Sequence, residues 1–290
     1  MMQYTIGFSP CPNDTFIFDA MVNHKIDTHG LNFEVTLEDV ETLNEMALHQ
    51  TLDFSKVSYG VLPLITENYQ VLNAGSALGK GVGPLLISKL PVSFEKVRDC
   101  TIAIPGENTT AHMLFSQAFP EVRNKVFMRY DEIEDFVLRE SDPVLGVIIH
   151  ENRFTYFEKG LLKIVDLGNF WERKTGFPIP LGGIVGKRTL DGTLMAQVDL
   201  LIRQSIEYAF HHYPHLTDYV KCHAQEMQAE VMKKHIDLYV NQYSLALGQD
   251  GKKAIHQLIS TYNQARGKSD SLLREEPPLF VPENSDALML

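Results

Sequence analysis

The aliphatic run Val144-Leu145-Gly146-Val147-Ile148-Ile149 ends on His150-Glu151-Asn152-Arg153. An imidazole, a carboxylate, an amide and a guanidinium thus follow the run without a spacer. Imidazole has an unperturbed pKa of about 6.5 and can accept a proton near neutral pH. His150 is therefore a candidate general base, although a histidine that merely caps a strand would occupy the same place. Other stretches suit holding a ligand. Gly106-Glu107-Asn108-Thr109-Thr110 precedes an apolar helical pattern. A helix start of that kind offers an anion free N–H groups, hydroxyls and the positive end of the dipole. Asn108 or Thr109 acting only as a cap fits equally well. Ser55-Lys56-Val57 brings a hydroxyl and a cation; Lys56 could balance a carboxylate or stand exposed at a strand end. Asn13, beside Asp14, is either a substrate contact or a cap.

Several chemically suggestive groups carry less. His211, His212 and His215 have no acidic or cysteine partner at ligand spacing, so a solvated helix end is expected rather than a metal site. Gly79-Lys80-Gly81-Val82-Gly83 leads into a strand, and no Gly-Lys-Ser/Thr follows, so it fits neither a dinucleotide fingerprint nor a P-loop. Close approach of backbone to a neighbour or ligand is the alternative. Cys11 reads as a packing or loop residue. His223 and His235 fall on apolar helical faces and read as core histidines.

The elements that must position these groups follow from hydrophobic spacing. The run before His150 is too short for an ordinary helix, is preceded by Asp142-Pro143, and suits a strand covered on both faces. In open α/β sheets, ligands gather at the carboxyl ends of strands. The opening predicts β-α-β-α-β: a strand over Tyr4–Phe8, a helix after Asn13-Asp14, the alternating Asn32–Leu37, a helix capped by Asp39, and a strand near Leu52–Val57. Right-handed crossovers and a parallel sheet are expected. A second α/β pattern starts at Thr101–Ile104 and closes with the His150 strand. The segment 169–183 holds the only Trp and reads as a crossing loop. Beyond Leu194, Pro214, Gly248 and Gly267 punctuate what read as four helices, one running from Glu226 to Leu247. Ser269–Leu290 reads as an extended tail. The layout predicts a larger discontinuous lobe, 1–95 and 186–290, a smaller inserted lobe, 96–185, and a ligand cleft between them.

Composition bounds the partners. The 290 residues are 44% hydrophobic and 22% charged, as in an ordinary globular protein. The net charge of −11, from 26 basic and 37 acidic residues, argues against a nucleic-acid surface. Three distant cysteines, Cys11, Cys100 and Cys222, form no disulfide framework. No run approaches the roughly 18 apolar residues of a membrane span, and the first residues lack the basic and apolar regions of a secretory signal. A cytoplasmic protein acting on a small molecule is expected.

With these residues collected, the chain resembles the 1,4-dihydroxy-6-naphthoate synthases of the futalosine route to menaquinone. The resemblance is carried by Ser9-Pro10-Cys11-Pro12-Asn13-Asp14-Thr15-Phe16, Lys56-Val57-Ser58-Tyr59-Gly60, Asn108-Thr109-Thr110-Ala111 and Gly146-Val147-Ile148-Ile149-His150-Glu151. Pro178-Ile179-Pro180-Leu181-Gly182-Gly183, the segment from His223 to Met227, and His235-Ile236-Asp237-Leu238-Tyr239-Val240-Asn241 also fit. The likeness runs from about Tyr4 to Gly251. It implies an α/β, two-lobe fold like the type II periplasmic binding proteins, adapted as a cytoplasmic lyase. The implied substrate is cyclic dehypoxanthinyl futalosine, which loses its sugar-derived fragment to leave 1,4-dihydroxy-6-naphthoate. No metal or organic cofactor is implied. His150 would be the proton acceptor, and Ser55, Lys56, Val57, Thr109 and Thr110 would bind substrate. Two rival readings share the architecture: a chorismate dehydratase of the same pathway and a non-catalytic cytoplasmic solute-binding sensor. Loss of water from chorismate would identify the first; a ligand bound and returned unchanged would identify the second.

Overall fold

Short β-branched runs alternating with helices build two mixed sheets. The computed structural model describes residues 2–140, 143–224, 228–267 and 278–283. Its strands are β1 (Met2–Phe8), β2 (Leu31–Leu37), β3 (Phe54–Ser58), β4 (Tyr69–Val71), β5 (Ala77–Gly79), β6 (Leu85–Ser88), β7 (Thr101–Ile104), β8 (Lys125–Phe127), β9 (Val144–Ile148), β10 (Leu162–Asp166) and β11 (Ile179–Lys187). The helices that matter below are α1 (Pro12–Val22), α2 (Val40–Leu48), α3 (Leu62–Ile65), α4 (Thr110–Ala118), α5 (Ile133–Arg139), α6 (Asn152–Thr155), α7 (Leu167–Thr175), α8 (Gly192–His212), α9 (Asp218–His223), α10 (Ala229–Tyr239), α11 (Gln242–Leu245) and α12 (Gly248–Ala265).

The first sheet has the order β2-β1-β3-β11-β4, with β5 also pairing β11; the second has the order β10-β6-β9-β7-β8. β1 runs parallel to β2 and β3, as the opening β-α-β-α-β pattern requires. β7 is likewise parallel to β8 and β9. Each parallel half then takes antiparallel company: β11 returns beside β3, and β6 beside β9. β3 and β9 are buried along their whole length. That explains why β9 reads as a continuous apolar run rather than an alternating one; β3 buries the polar Ser55, Lys56 and Ser58 along with Phe54 and Val57.

The chain changes sheet at other places than the expected lobe boundaries. β6 lies before residue 95 but belongs to the second sheet, and β11 starts at Ile179 but belongs to the first. The chain therefore changes sheet before Leu85 and again before Ile179, not at 95/96 and 185/186. Strands buried on both faces look alike in either sheet, so the sequence pattern could not assign them. The expected crossing loop 169–183 is also mostly regular. Asp166 caps α7 by accepting from the N–H groups of Gly168 and Asn169, and Gly176 ends it at φ 77°. Trp171 is fully buried on that helix.

Toward the carboxyl end, the described residues form five helices where four were expected. Gly248 opens α12 instead of ending a helix. Asn241 splits the expected run at 226–247 by capping α11, in a box shared with Ser244. Asp142, Gln225, Glu226 and Met227 lie outside the described residues, as do 268–277 and 284–290 of the expected tail. The described tail piece 278–283 is extended beside β4, where Val281 N–H donates to Val71 O at 2.9 Å.

Candidate active site

Between the sheets lies a cavity of about 700 Å³ including its open mouth, lined by both halves of the chain. His150 borders it from the turn between β9 and α6. Its φ of 56° is left-handed, a conformation that costs a non-glycine residue on the order of 1–3 kcal/mol and tends to cluster at functional sites. The turn is closed by Arg153 N–H donating to His150 O at 3.3 Å. The ring packs against Tyr130, with centroids 4.9 Å apart, and against His235 at 5.9 Å. Burial lowers its pKa to about 4; Glu151 opposes the shift and His235 adds to it. At neutral pH His150 is a neutral imidazole with an available lone pair.

The residues opposite come from α4. Thr109 is its N-cap, accepting from His112 N–H at 3.2 Å and donating to Gly106 O at 3.0 Å. Thr110 Oγ1 donates to Leu181 O at 2.7 Å and accepts from Gly60 N–H at 2.9 Å. Both hydroxyls are thus committed to structure, and Thr110 ties the second sheet's helix to β11 and the β3 loop of the first. What α4 can offer a ligand is its first turn: N–H groups at a helix start have no intrahelical acceptor, and Thr110 and Ala111 both border the cavity. Gly60 packs against this turn so closely that a Cβ there would lie 2.5 Å from the Thr109 carbonyl carbon.

The first sheet supplies a polar floor. Lys56 is buried, 3.0 Å from Asp14 Oδ1, and donates to Gly75 O at 2.8 Å. Its charge is matched within the protein, which corrects the exposed reading and weakens its expected role as partner of a carboxylate. Asp14 also accepts from Ser9 Oγ–H at 2.7 Å and from Asn13 Nδ2–H at 2.8 Å. Asn13 and Asp14 do not cap α1; Cys11 holds that position, and Pro12 occupies the first turn, where its missing N–H costs nothing. Asn13 Oδ1 is buried without a partner among the described residues and borders the cavity. Val57 and Ser58 border it too. Ser55 does not: it is fully buried in β3 between Gly7 and Val185, and its hydroxyl donates to Lys56 O at 3.3 Å. Ser55 lies toward the amino end of β3, and it is Lys56, Val57 and Ser58 at the carboxyl end that reach the cavity.

Three groups near His150 were not expected as site residues. Tyr130 meets its ring. His235, read as a core histidine, is fully buried yet borders the cavity. Glu151 Oε2 stands 3.4 Å from His235 Nδ1. Burial alone would raise the Glu151 pKa, but the two imidazoles bring it down to about 2, so it is ionised. No local signal separates His235 from any histidine on an apolar helical stripe; only the folded chain brings α10 to this turn. Cys11, His150 and Glu151 each place a donor atom within 4.8 Å of the others. A divalent cation could be held at such spacing, but burial pushes the Cys11 thiol well up, favouring the protonated form over the thiolate that a metal needs.

Arg153 explains the glycine-rich segment. Its guanidinium donates to the carbonyls of Gly81 and Gly83 and pairs with Asp166 at 3.0 Å. The segment is a backbone strap gripped from the His150 turn, not a phosphate cradle.

A family of proteins described as acting in menaquinone biosynthesis matches residues 4–264. A protein of Thermus thermophilus named 1,4-dihydroxy-6-naphthoate synthase is 42% identical over 97% of this chain and 100% of its own length. The chain belongs to this family. A Streptomyces coelicolor protein of the same name is 39% identical over 88% of this chain and 91% of its own length. Among solved structures, an Archaeoglobus fulgidus protein superposes with a TM-score of 0.85 at 29% identity, covering 91% of this chain and 98% of that one. A Candida albicans protein described as having the generic periplasmic binding protein fold superposes with a TM-score of 0.68 at 13% identity over 98% of this chain and 99% of its own. The second likeness shows the fold alone, and the two-lobe α/β architecture agrees with it. Among the described residues, no helix is long and apolar enough to cross a membrane.

Proposed function

We propose that this chain is a lyase converting cyclic dehypoxanthinyl futalosine to 1,4-dihydroxy-6-naphthoate, with His150 as the base that starts the reaction. The observation that carries the reading is a neutral imidazole, set on a left-handed turn, in one cavity with the open first turn of α4. Family membership and the names of the two relatives favour this reaction over chorismate dehydration and over binding without turnover.

Carbon–carbon cleavage beside a carbonyl needs a base to begin electron flow and donors for the oxyanion that develops. His150 takes the proton. The first-turn N–H groups at Thr110 and Ala111 receive the anionic part of the substrate, and the α4 dipole favours negative charge there. Asn13 Oδ1 accepts from a substrate hydroxyl, an assignment that satisfies an otherwise orphaned buried acceptor. Val57 and the buried Lys56–Asp14 pair shape the floor, with Lys56 contributing field rather than direct pairing. Ser55 supports β3 and makes no contact with substrate. A pKa near 4 leaves the base form fully populated but lowers its intrinsic basicity; an anion seated in the cavity would raise it again. Enclosure between the lobes orients the substrate and excludes water. We place the lobe boundaries where the chain changes sheet, and assign the protein to the cytoplasm with its small-molecule substrate.

The test is to incubate the purified protein separately with cyclic dehypoxanthinyl futalosine and with chorismate. Appearance of dihydroxynaphthoate from the first alone supports the reading; water loss from chorismate, or a ligand recovered unchanged, would replace it.

A further inference from the structure

The scheme above uses one imidazole, yet a second stacks on it. The His235 and His150 rings lie 5.9 Å apart with planes inclined by 27°. His235 is fully buried, borders the cavity, and has no hydrogen-bond partner on either nitrogen among the described residues. Glu151 stands against Nδ1 at 3.4 Å, and both its carboxylate oxygens also lack partners. This distance exceeds an optimal charge-assisted hydrogen bond, as is common for catalytic contacts before substrate binds. Burying two ionisable groups so imperfectly paired costs several kcal/mol in effective desolvation, and apolar residues of similar volume would often be as stable or better. A buried polar group left short of partners in a native protein calls for an explanation such as a catalytic role.

We propose that His235 is the second proton-transfer residue of this site, and that Glu151 is the residue that positions it. The carboxylate fixes the proton on Nδ1, as acidic partners of working histidines do, and so leaves Nε2 as the exchanging atom. The inference rests on the lyase reading above. His150 takes one proton from the substrate, and the released electron pair drives cleavage of the carbon–carbon bond. The pair from that bond ends on the departing fragment, which receives one proton from His235 Nε2; for this step His235 starts as the imidazolium beside the Glu151 carboxylate and ends neutral with Nδ1–H retained. The proton count balances: one imidazole gains what the other gives, and the two are reset by exchange with each other or with solvent after the products leave. Without the second transfer the fragment would leave as a carbanion or enolate inside a water-poor cavity.

The experiment compares wild type, His150→Ala, His235→Ala, His235→Gln, His235→Phe and Glu151→Gln on cyclic dehypoxanthinyl futalosine, measuring kcat, KM and rescue by added imidazole. His235→Gln should lose about 10²-fold or more in kcat with KM changed less than threefold, the size typical of one positioned acid or base. Free imidazole should restore part of the rate in the smallest variant, His235→Ala. Glu151→Gln should lower kcat less than His235→Gln does. Dihydroxynaphthoate affinity and melting temperature, measured on each variant, show whether the fold is intact. If His235→Phe or His235→Gln binds product normally and turns over within twofold of wild type, the residue is only packing and the proposal falls. A wild-type protein that fails to consume the substrate would instead overturn the lyase reading itself.

Discussion

At the residue scale, the behaviour of His150 follows from its desolvation. A histidine with a pKa near 4 has lost its proton throughout the neutral range, so kcat/KM is expected to stay flat there and to fall as pH drops through about 4. A profile that instead falls near 6.5, the free imidazole value, would show a solvated ring and contradict the site geometry. Stability carries the same sign. The folded pKa lies below the unfolded one, so the unfolded chain binds the proton first, and stability declines as pH falls from about 6.5 toward 4, by up to about 3 kcal/mol. Glu151 adds a loss at lower pH, from its unfolded range down through about 2. In His150→Gln the first part of this acid-induced drop in melting temperature should disappear. The sequence made His150 legible as a strand-end imidazole. It gave no sign of the left-handed turn, of the paired Lys56, or of the Glu151–His235 couple, because each depends on contacts between segments far apart in the chain.

At the scale of elements, the start of α4 is held by its neighbours more tightly than its own sequence requires. Gly60 touches the Thr109–Thr110 backbone, and Thr110 bridges to Leu181 and Gly60. Gly60→Ala should therefore displace the α4 turn, raising KM and destabilising the protein by about 1–3 kcal/mol, the usual range for overpacking. Thr110→Val keeps the shape but leaves the Gly60 N–H unpaired, while Leu181 O keeps its second donor, Tyr59 N–H, at a cost of about 1–3 kcal/mol in chemical denaturation. Either variant behaving as wild type would show that α4 does not depend on this clasp. The helix start itself could be read from Gly106-Glu107-Asn108-Thr109, and Asp39 capping α2 was equally plain. What could not be read was that both threonine hydroxyls serve the protein. A hydroxyl near a helix start looks the same whether it faces ligand or carbonyl. That Ser55 stays clear of the cavity was hidden for a related reason: β3 is buried on both faces, so its sequence carries no alternation that tells the two faces apart.

At the scale of the molecule, both sheets supply walls to one cavity, and the chain passes between them twice. A ligand seated there should stabilise the whole chain by mass action, about 2.7 kcal/mol at a hundredfold excess over Kd, as a single cooperative melting step. Two separate transitions, with only one moved by dihydroxynaphthoate, would mean that one lobe alone binds. The β-α-β order in each half was legible because crossover connections impose parallel pairing. The antiparallel returns of β6 and β11, which set the true crossings, were not, since short buried strands carry no mark of their partner sheet.

The central claim is that the ring of His150 removes the first proton. Its most direct test is kcat of His150→Ala on cyclic dehypoxanthinyl futalosine, with dihydroxynaphthoate binding measured on the same protein. The expected result is a loss of about 10²–10⁴-fold in kcat with product affinity retained. A variant that keeps more than about a tenth of the wild-type rate, a smaller loss than removal of a positioned base should cause, would contradict it.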